Sequence, residues 1–198
     1  MSMPAKLTSQ LQWRRATVQD AARIATLVNS AYRGDSGREG WTTEADIIDG
    51  QRTDAAMVAE ELGKPGSDIL LVTESSSPET LSGCVLLRRE DDACYLGMLT
   101  VSPKAQKLGI GSYLMETAES FARNEMGVDR IFFGVIWTRT ELISWYERRG
   151  YRKTGATKPF PYGNAALGLP VRDDLHFVIF DKELSEPSRH RRAAEPRP

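Results

Sequence analysis

The sequence predicts an α/β (α+β) fold in which helices flank a mixed central sheet of about seven strands, and three observations support it. Short apolar runs typical of strands alternate along the chain with segments whose apolar residues recur every three to four positions, as in amphipathic helices. Three strand-like runs follow one another with short polar connections, which predicts an antiparallel meander. Helical segments separate later strands, which predicts helices packed on the sheet.

The first third of the chain predicts one strand and the helices that follow it. Leu11–Thr17 alternates apolar and polar residues as a strand does. Thr17 and Asp20 have the spacing of a capping box, and apolar residues then recur at helical spacing as far as Ala31. Further helical segments are predicted from Thr43 and over Thr53–Leu62.

The rest of the chain predicts the meander and then alternating helices and strands. The three meander strands are Asp68–Glu74, Ser82–Glu90 and Ala93–Val101. A strong helical pattern begins at Gly111. It is followed by a strand over Ile131–Trp137, a helix over Glu141–Arg149, and strands over Tyr151–Gly155 and Leu175–Phe180. Residues 158–170, between the last two strands, are predicted to be irregular.

The composition indicates one folded domain with little net charge. The 198 residues include 26 lysines and arginines and 27 acidic residues, a net charge of −1, and 40% are hydrophobic. Because domains that bind nucleic acid electrostatically are normally basic, we expect no nucleic-acid partner. We expect a single domain over residues 1–184 and a disordered basic tail over residues 185–198, which has four arginines and two glutamates.

Rare residues exclude several further classes. Cys84 and Cys94 are the only cysteines, and no Cys/His cluster has the spacing of metal ligands. We therefore expect both thiols in the core and no metal. No apolar run reaches about 18 residues, and the first residues lack the apolar centre of a signal peptide. The sequence thus predicts a cytoplasmic protein without a membrane segment.

A strand, a loop and a helix around residues 95–120 carry the clearest chemical signal. The strand ends at Val101, and Gln106, Gly109 and Gly111 lead directly into the helix. Two glycines at a helix N-terminus leave backbone N–H groups accessible and allow a ligand to approach closely. The bare N–H groups and the helix dipole favour an anion such as a pyrophosphate there.

Two common phosphate loops do not fit this segment. A Rossmann fingerprint requires a glycine where Leu114 stands, and a Walker A loop requires a lysine after Gly111, where Ser112 stands. From the spacing alone, a tight strand-to-helix turn without a ligand remains an open interpretation.

The segment resembles a known family at two motifs. Gln106-x-x-Gly109-x-Gly111 is similar to the acyl-CoA-binding Gln/Arg-x-x-Gly-x-Gly/Ala motif of the GNAT superfamily of N-acetyltransferases. Tyr146-x-x-x-Gly150-Tyr151, which begins 35 residues after Gly111, resembles the family's second signature, Tyr-x-x-x-Gly-Phe/Tyr. The order of elements from residue 11 to 183 matches as well.

The resemblance implies the fold and the cofactor. It implies a mostly antiparallel sheet that splays between its fourth and fifth strands, here Ala93–Val101 and Arg130–Trp137. Acetyl-CoA would bind as a cosubstrate in that gap, its pantetheine arm beside the fourth strand and its pyrophosphate on the glycine loop. The implied cofactor-binding residues are Leu99, Thr100, Val101, Gln106, Lys107, Leu108, Gly109, Ile110, Gly111 and Ser112.

The same resemblance implies a direct attack by an amine on the thioester. Tyr146 occupies the family's general-acid position, and a backbone amide around Leu99 would form the oxyanion hole. Many relatives have a glutamate on the fourth strand, but Ala93–Val101 contains no carboxylate. Glu44 is one candidate base, and Asp46, Tyr95 and a water chain are others. Arg139 is a second departure, because relatives often have asparagine there.

Two irregular stretches are expected to form the acceptor pocket. The candidate substrate-binding residues are Tyr32, Trp41, Glu44, Phe160 and Tyr162. Aromatic residues on loops favour a binding role because a loop has no core of its own to fill. This mixture suits a small amphipathic amine or an amino-acid-like acceptor, and a peptide N-terminus or a lysine remains open.

The sequence therefore predicts an N-acetyltransferase that uses acetyl-CoA and an amine acceptor in a ternary complex. The alternative is a non-catalytic acyl-CoA-binding or regulatory module with the same fold, which the missing carboxylate favours. The last strand and an exposed sheet edge could pair across a homodimer, although no spacing requires it.

Overall fold

The computed structural model describes residues 10–33, 43–106, 108–164 and 168–184, and it contains four α-helices and nine strands there. The predictions for Trp41, Lys107 and the tail over residues 185–198 lie outside the described residues. The elements in chain order are β1 (Leu11–Arg15), α1 (Ala21–Tyr32), β2 (Ile48–Asp49), α2 (Ala55–Leu62), β3 (Ser67–Glu74), β4 (Ser77–Glu90), β5 (Ala93–Val101), α3 (Ile110–Asn124), β6 (Arg130–Ile136), α4 (Thr140–Glu147), β7 (Arg152–Pro159), β8 (Leu169–Pro170) and β9 (His176–Glu183).

Seven of the strands form one twisted sheet in the order β1-β3-β4-β5-β6-β9-β7. Only the β5–β6 pair is parallel, and every other neighbouring pair is antiparallel. The predicted meander is β3-β4-β5, and the predicted mostly antiparallel sheet of seven strands flanked by helices is confirmed. The two short strands β2 and β8 pair separately, with Ile48 opposite Pro170.

The parallel pair β5–β6 separates soon after it begins. Only Cys94 and Tyr95 of β5 have partners on β6, although β5 continues to Val101. A β-bulge lies just beyond this point, because Cys84 and Leu86 of β4 face Thr100 and Gly97, which leaves one extra residue on β5. Met98 in the bulge has a φ of +51°. Since a bulge bends its strand, this geometry accounts for the predicted splay between the two strands.

The helices cover both faces of the sheet, and alternate residues of the central strands supply the two cores. Leu70 and Val72 of β3 lie in one core, under α3 and α4, and this core also contains Phe121 and Tyr146. Ile69 and Leu71 lie in the other core, under α1 and α2. This alternation with a period of two residues is what a sheet buried on both faces requires. In the described part of the chain, no helix is long and apolar enough to cross a membrane.

The predicted helix from Thr43 is wrong. Residues 45–47 form a turn, and β2 follows at once. The Glu44 carbonyl accepts from Ile47 and Ile48 N–H, so one helical turn does form. It stops there because Ile48 pairs with β8, and Gly50 adopts a φ of +82°.

Two strand boundaries differ most from the sequence-based prediction. β4 begins at Ser77, because the polar run expected to be a connection continues the strand, exposed and with an irregular register. β7 continues to Pro159 through a bulge near Gly155, whose φ is +85°. β8 was not predicted. These segments lack apolar alternation because they lie at sheet edges or beyond the core, where burial does not select it.

Candidate active site

A cavity of about 260 Å³ lies where β5 and β6 separate. Its walls come from β5, from the N-terminal end of α3 and from α4, and Tyr32 of α1 closes one side. The predicted cofactor-binding residues that line it are Leu99, Val101, Gln106, Gly109, Ile110, Gly111 and Ser112. Thr100 is buried beside Cys84 of β4 instead, and Leu108 is 48% exposed outside the cavity wall.

The N-terminus of α3 opens into this cavity. Gly109 is the N-cap residue, with a left-handed φ of +81° that glycine adopts without strain. The N–H groups of Ser112 and Tyr113 donate to the Gly109 carbonyl at 2.9 and 3.1 Å. In the described chain, no acceptor meets the N–H groups of Ile110 and Gly111. Two such N–H groups and a helix dipole are the features that favour binding of an anion.

Gly111 keeps this end of the helix open to a ligand. A Cβ atom at Gly111 would lie 3.3 Å from Cζ2 of Trp145 and 3.7 Å from Cγ2 of Val101. A side chain there would therefore crowd the space between α3 and α4. Gly111 is thus needed because α3 and α4 approach each other closely there, whereas Gly109 is needed for its left-handed backbone conformation.

Arg149, which follows α4, supplies a positive charge at the same place. Its guanidinium lies 3.5 Å above the Trp145 ring and donates a short hydrogen bond to Oγ of Ser112. Arg149 is not among the residues predicted from the sequence. A signal was present, because Arg149 lies four positions after the aromatic Trp145, a spacing at which side chains meet if the helical turn continues.

Tyr146 lies in the wall of the cavity and is 5% exposed. Its ring centroid is 4.4 Å from that of Phe133, so the side chain is fixed by core packing. Burial raises the pKa of the Tyr146 phenol above its ordinary value, and Tyr32 adds to the rise, while Arg139 and Arg149 oppose it. The hydroxyl group therefore remains protonated at neutral pH and is able to donate a proton.

Glu44 is buried between two arginines. Arg33 Nη1 donates to Glu44 Oε2 at 2.6 Å, and Arg139 Nη1 donates to Oε1 at 2.8 Å. Burial by itself would raise the pKa of Glu44, but Arg139, Arg52 and Arg33 together hold it below its ordinary value. The carboxylate is therefore ionised, and both of its oxygens bind arginine.

Tyr32 connects this ion-pair network to β5. Its hydroxyl donates to the Leu99 carbonyl at 2.7 Å, at the edge of β5 that faces the splay. The guanidinium carbon of Arg139 lies 5.5 Å from the Tyr32 ring centroid, and that of Arg52 lies 5.9 Å from it. Burial raises the pKa of the Tyr32 phenol, which keeps this hydrogen bond in place at neutral pH.

The other base candidates lie apart from one another. Tyr95 packs against Phe132, with ring centroids 5.7 Å apart, and the Arg88 guanidinium lies over its ring. Burial raises the pKa of the Tyr95 phenol. Asp46 lies in the turn before β2.

The two remaining acceptor candidates do not line the cavity. Phe160 is 6% exposed in a small core with Ile48, Ile136 and Leu175. The Tyr162 hydroxyl accepts a hydrogen bond from the Leu175 N–H at 2.7 Å and donates one to the Arg172 carbonyl at 3.1 Å. The structure thus places Tyr32 and Tyr146 in the cavity wall, with Glu44 close to Tyr32 but outside that wall, and it places Phe160 and Tyr162 in a separate cluster.

The cysteines occupy the core as expected. Cys84 of β4 and Cys94 of β5 are fully buried, and burial raises the pKa of each thiol to about 12. Among the described residues, no group of three or more His, Cys, Asp or Glu side chains is placed to bind a metal ion.

Comparisons with known proteins agree with this architecture. The sequence model of the acetyltransferase (GNAT) family matches residues 23–151. A comparison with curated proteins returned no match. Among solved structures, yncA, a putative acetyltransferase from Salmonella typhimurium solved with its cofactor acetyl-CoA, is similar with a TM-score of 0.63, 20% identity, and coverage of 90% of this chain and 96% of that one.

Two further structures show the same fold. A mutant of the spermidine N-acetyltransferase SpeG from Vibrio cholerae has a TM-score of 0.64 at 13% identity, covering 89% of this chain and 95% of that one. An N-acetyltransferase from Staphylococcus aureus has a TM-score of 0.65 at 14% identity, covering 88% and 97%. At these identities the structural likeness establishes the fold alone. Because the family match spans more than half of the chain, the protein belongs to the GNAT family of acetyltransferases.

Proposed function

We propose that the protein transfers the acetyl group of acetyl-CoA to the amino group of a small or amino-acid-like acceptor in a ternary complex. One observation carries the proposal: a single cavity connects the bare N-terminus of α3 to Tyr146 at the splay between β5 and β6. Membership of the family supports the reaction type, and the acetyl-CoA in the structure of yncA supports the cofactor.

The residues present fit acetyl-CoA along the whole cavity. The N–H groups at Ile110 and Gly111 suit its pyrophosphate, and the Arg149 guanidinium adds a charged donor beside them. Beyond Tyr95 the edge of β5 has no partner on β6, so the backbone groups of Leu99 and Val101 can pair with an amide-containing pantetheine arm.

Acetyl-CoA supplies a thioester whose carbonyl carbon is open to attack by an amine. Tyr146 holds a proton at its hydroxyl and donates it to the departing thiolate sulfur. The backbone of β5 near Leu99 orients the reacting carbonyl, and the Tyr32 hydroxyl fixes that backbone through its hydrogen bond. The cavity wall of Leu142 and Trp145 shields these groups from water.

Glu44 acts in this proposal as a positioning residue for Arg33 and Arg139. Both carboxylate oxygens are already engaged, and the lowered pKa of the group makes it a weak proton acceptor. An alkylammonium with a pKa near 10 must lose its proton before attack. In this proposal the proton does not pass to Glu44, which leaves Asp46, Tyr95 and a water chain as the routes by which it departs.

The test is release of the CoA thiol from acetyl-CoA in the presence of a panel of primary amines. We expect amine-dependent release by the wild type and a rate reduced about 10²–10⁴-fold in Tyr146→Phe, with unchanged acetyl-CoA affinity. The alternative is a non-catalytic acyl-CoA-binding module, which the absence of a carboxylate on β5 favours. A protein that binds acetyl-CoA but releases no thiol, whether or not amine is present, would support that alternative.

A further inference from the structure

Arg52 is held in place through its backbone. Asn29 of α1 accepts at Oδ1 from the N–H groups of Arg52 and Thr53, at 2.6 and 3.3 Å. The Asn29 amide returns a hydrogen bond to the Thr53 carbonyl at 2.8 Å. Thr53 is 3% exposed, so the segment lies against α1 as part of the core surface. The backbone at Arg52 and Thr53 is therefore held by three hydrogen bonds to the half-buried amide of Asn29, one to Arg52 and two to Thr53.

The Arg52 side chain is half-buried yet has no anionic partner. Its guanidinium carbon lies 5.9 Å from the Tyr32 ring centroid, and no carboxylate of the described chain lies within ion-pair distance of it. Arg88 offers a direct contrast. It also lies over an aromatic ring, 4.8 Å from the Tyr95 centroid, but it binds Glu61 at 2.8 Å and Glu90 at 2.6 Å.

Glu44 does not compensate the charge of Arg52 by an ion pair. Three arginines (33, 52 and 139) interact with Glu44, and the two oxygens of that carboxylate are used by Arg33 and Arg139. Among the described residues, Arg52 is thus left with no carboxylate bound to its guanidinium. Because a partly desolvated cation without a counter-ion is costly, the position of Arg52 favours a ligand that brings a negative charge.

Arg52 lies beside Tyr32, the residue of α1 that closes one side of the cavity. Arg52 and Arg139 both lie near the ring of Tyr32, and the Tyr32 hydroxyl binds the Leu99 carbonyl at the splay. Tyr95, whose side chain belongs to the core under α1 and α2, also lies within electrostatic range of Arg52. A guanidinium is suited to bind a planar carboxylate through two parallel hydrogen bonds.

We infer that Arg52 binds a carboxylate of the acceptor, so that the acceptor is an amino acid or another amino-carboxylate and not a polyamine. This inference rests on the proposed function, because it concerns the acceptor of the same reaction. It adds a specificity-determining residue that the sequence analysis did not identify.

The experiment measures acceptor binding without turnover. Calorimetry on the protein saturated with CoA compares L-leucine, L-phenylalanine and L-lysine with their carboxamides, and includes spermidine. Each acid shares its side chain with its carboxamide and differs from it in carrying the carboxylate, and a pH at which both amino groups are protonated keeps their charge equal. The variants are Arg52→Gln, Arg52→Lys and the control Arg23→Gln, which removes a charge from an exposed part of α1. CoA affinity and the melting temperature are recorded for each protein.

We expect at least one acid to bind ten-fold or more tightly than its carboxamide, and spermidine to bind more weakly than that acid. Arg52→Gln should abolish the preference, Arg52→Lys should retain part of it, and Arg23→Gln should leave it unchanged, all with wild-type CoA affinity. A panel in which no acid binds more tightly than its carboxamide, or a preference that survives in Arg52→Gln, overturns the inference. Neither result affects the proposed function, which fails only if the wild type does not bind acetyl-CoA or does not release its thiol.

Discussion

Arg139 donates a hydrogen bond from Nη1 to Oε1 of Glu44 at 2.8 Å, and this contact joins the N-cap of α4 to the turn after α1 across 95 positions of sequence. Arg139 stands where relatives often have asparagine, and Glu44 was a candidate general base. Their pairing gives Arg139 and Glu44 a common role: the carboxylate neutralises the arginine, and the arginine occupies one oxygen of the carboxylate.

Loss of this carboxylate should destabilise the protein. Glu44→Gln removes the carboxylate that binds both Arg33 and Arg139 at a site where Arg33 is buried, so we expect the free energy of unfolding to fall by about 3–5 kcal/mol. Urea denaturation measures this loss of unfolding free energy, and Glu141→Gln, at an exposed position, is the control. A double-mutant cycle with Arg139→Gln should show strong coupling, and additive effects would contradict a shared ion pair.

The same pair predicts a pH dependence of stability. Because the pKa of Glu44 in the folded state lies below its ordinary value of 4.5, the pair contributes fully above pH 4.5. The contribution is lost as the pH falls through the lowered pKa. The difference in unfolding free energy between wild type and Glu44→Gln should therefore shrink below pH 4.5. A difference that stays constant down to low pH would contradict a stabilising role for the ionised Glu44 carboxylate.

Tyr146→Phe should separate chemistry from packing. The ring contacts with Phe133 remain, so we expect a melting temperature close to wild type and a lower kcat. Tyr151→Phe is the matched control, since its hydroxyl binds Oε1 of Glu119 at 3.0 Å away from the cavity wall. That variant should lose about 1 kcal/mol of stability and keep its kcat. Equal kcat values for both variants would remove Tyr146 from the mechanism.

The pH–rate profile should have no basic limb from Tyr146. Burial raises the pKa of this phenol above its ordinary value of 10, so it remains protonated at every pH from 6 to 10. We expect kcat to rise as the acceptor amine loses its proton and then to reach a plateau. A decline in kcat between pH 8 and 10, in a protein that stays folded, would show that the proton donor has a pKa in that range and is not Tyr146.

Arg149→Gln should weaken cofactor binding through the phosphates. Its guanidinium lies at the N-terminus of α3, beside Ser112, whereas neighbouring Arg148 is exposed and serves as the control in Arg148→Gln. Loss of one charge-assisted contact of about 1.5–3 kcal/mol corresponds to a 10- to 150-fold lower affinity for acetyl-CoA. Binding of S-acetylpantetheine, which lacks phosphates, should not change; an equal loss for both ligands would place Arg149 elsewhere along the cavity.

Local patterns predicted the fold because each central strand and helix carries its own periodicity. The glycine spacing likewise predicted the end of α3 that opens into the cavity, since a left-handed φ at Gly109 and a close approach at Gly111 both demand glycine. The edge strand β7 was predicted only in part, because every residue of it is exposed and no burial pattern marks its length.

The contacts that complete the site could not be predicted in this way. Glu44 and Arg139 meet only because β5 and β6 separate and α4 begins above the turn after α1. Arg52 is positioned by Asn29 from a different element, and no spacing in the sequence indicates that amide. Such contacts depend on tertiary geometry, which a one-dimensional pattern does not encode.

Calorimetric titration with acetyl-CoA of wild type, Gly109→Asn and Gly109→Asp tests the central claim most directly. Asn and Asp tolerate the left-handed φ of +81° equally well and differ in charge, so strain is matched. The aspartate would place a negative charge on the proposed pyrophosphate site. We predict binding by the wild type, a modest loss in Gly109→Asn, and a further loss of about 100-fold or more in Gly109→Asp, about 2.8 kcal/mol. No binding by the wild type, or equal affinities for the two variants, would contradict a cofactor site at the N-terminus of α3.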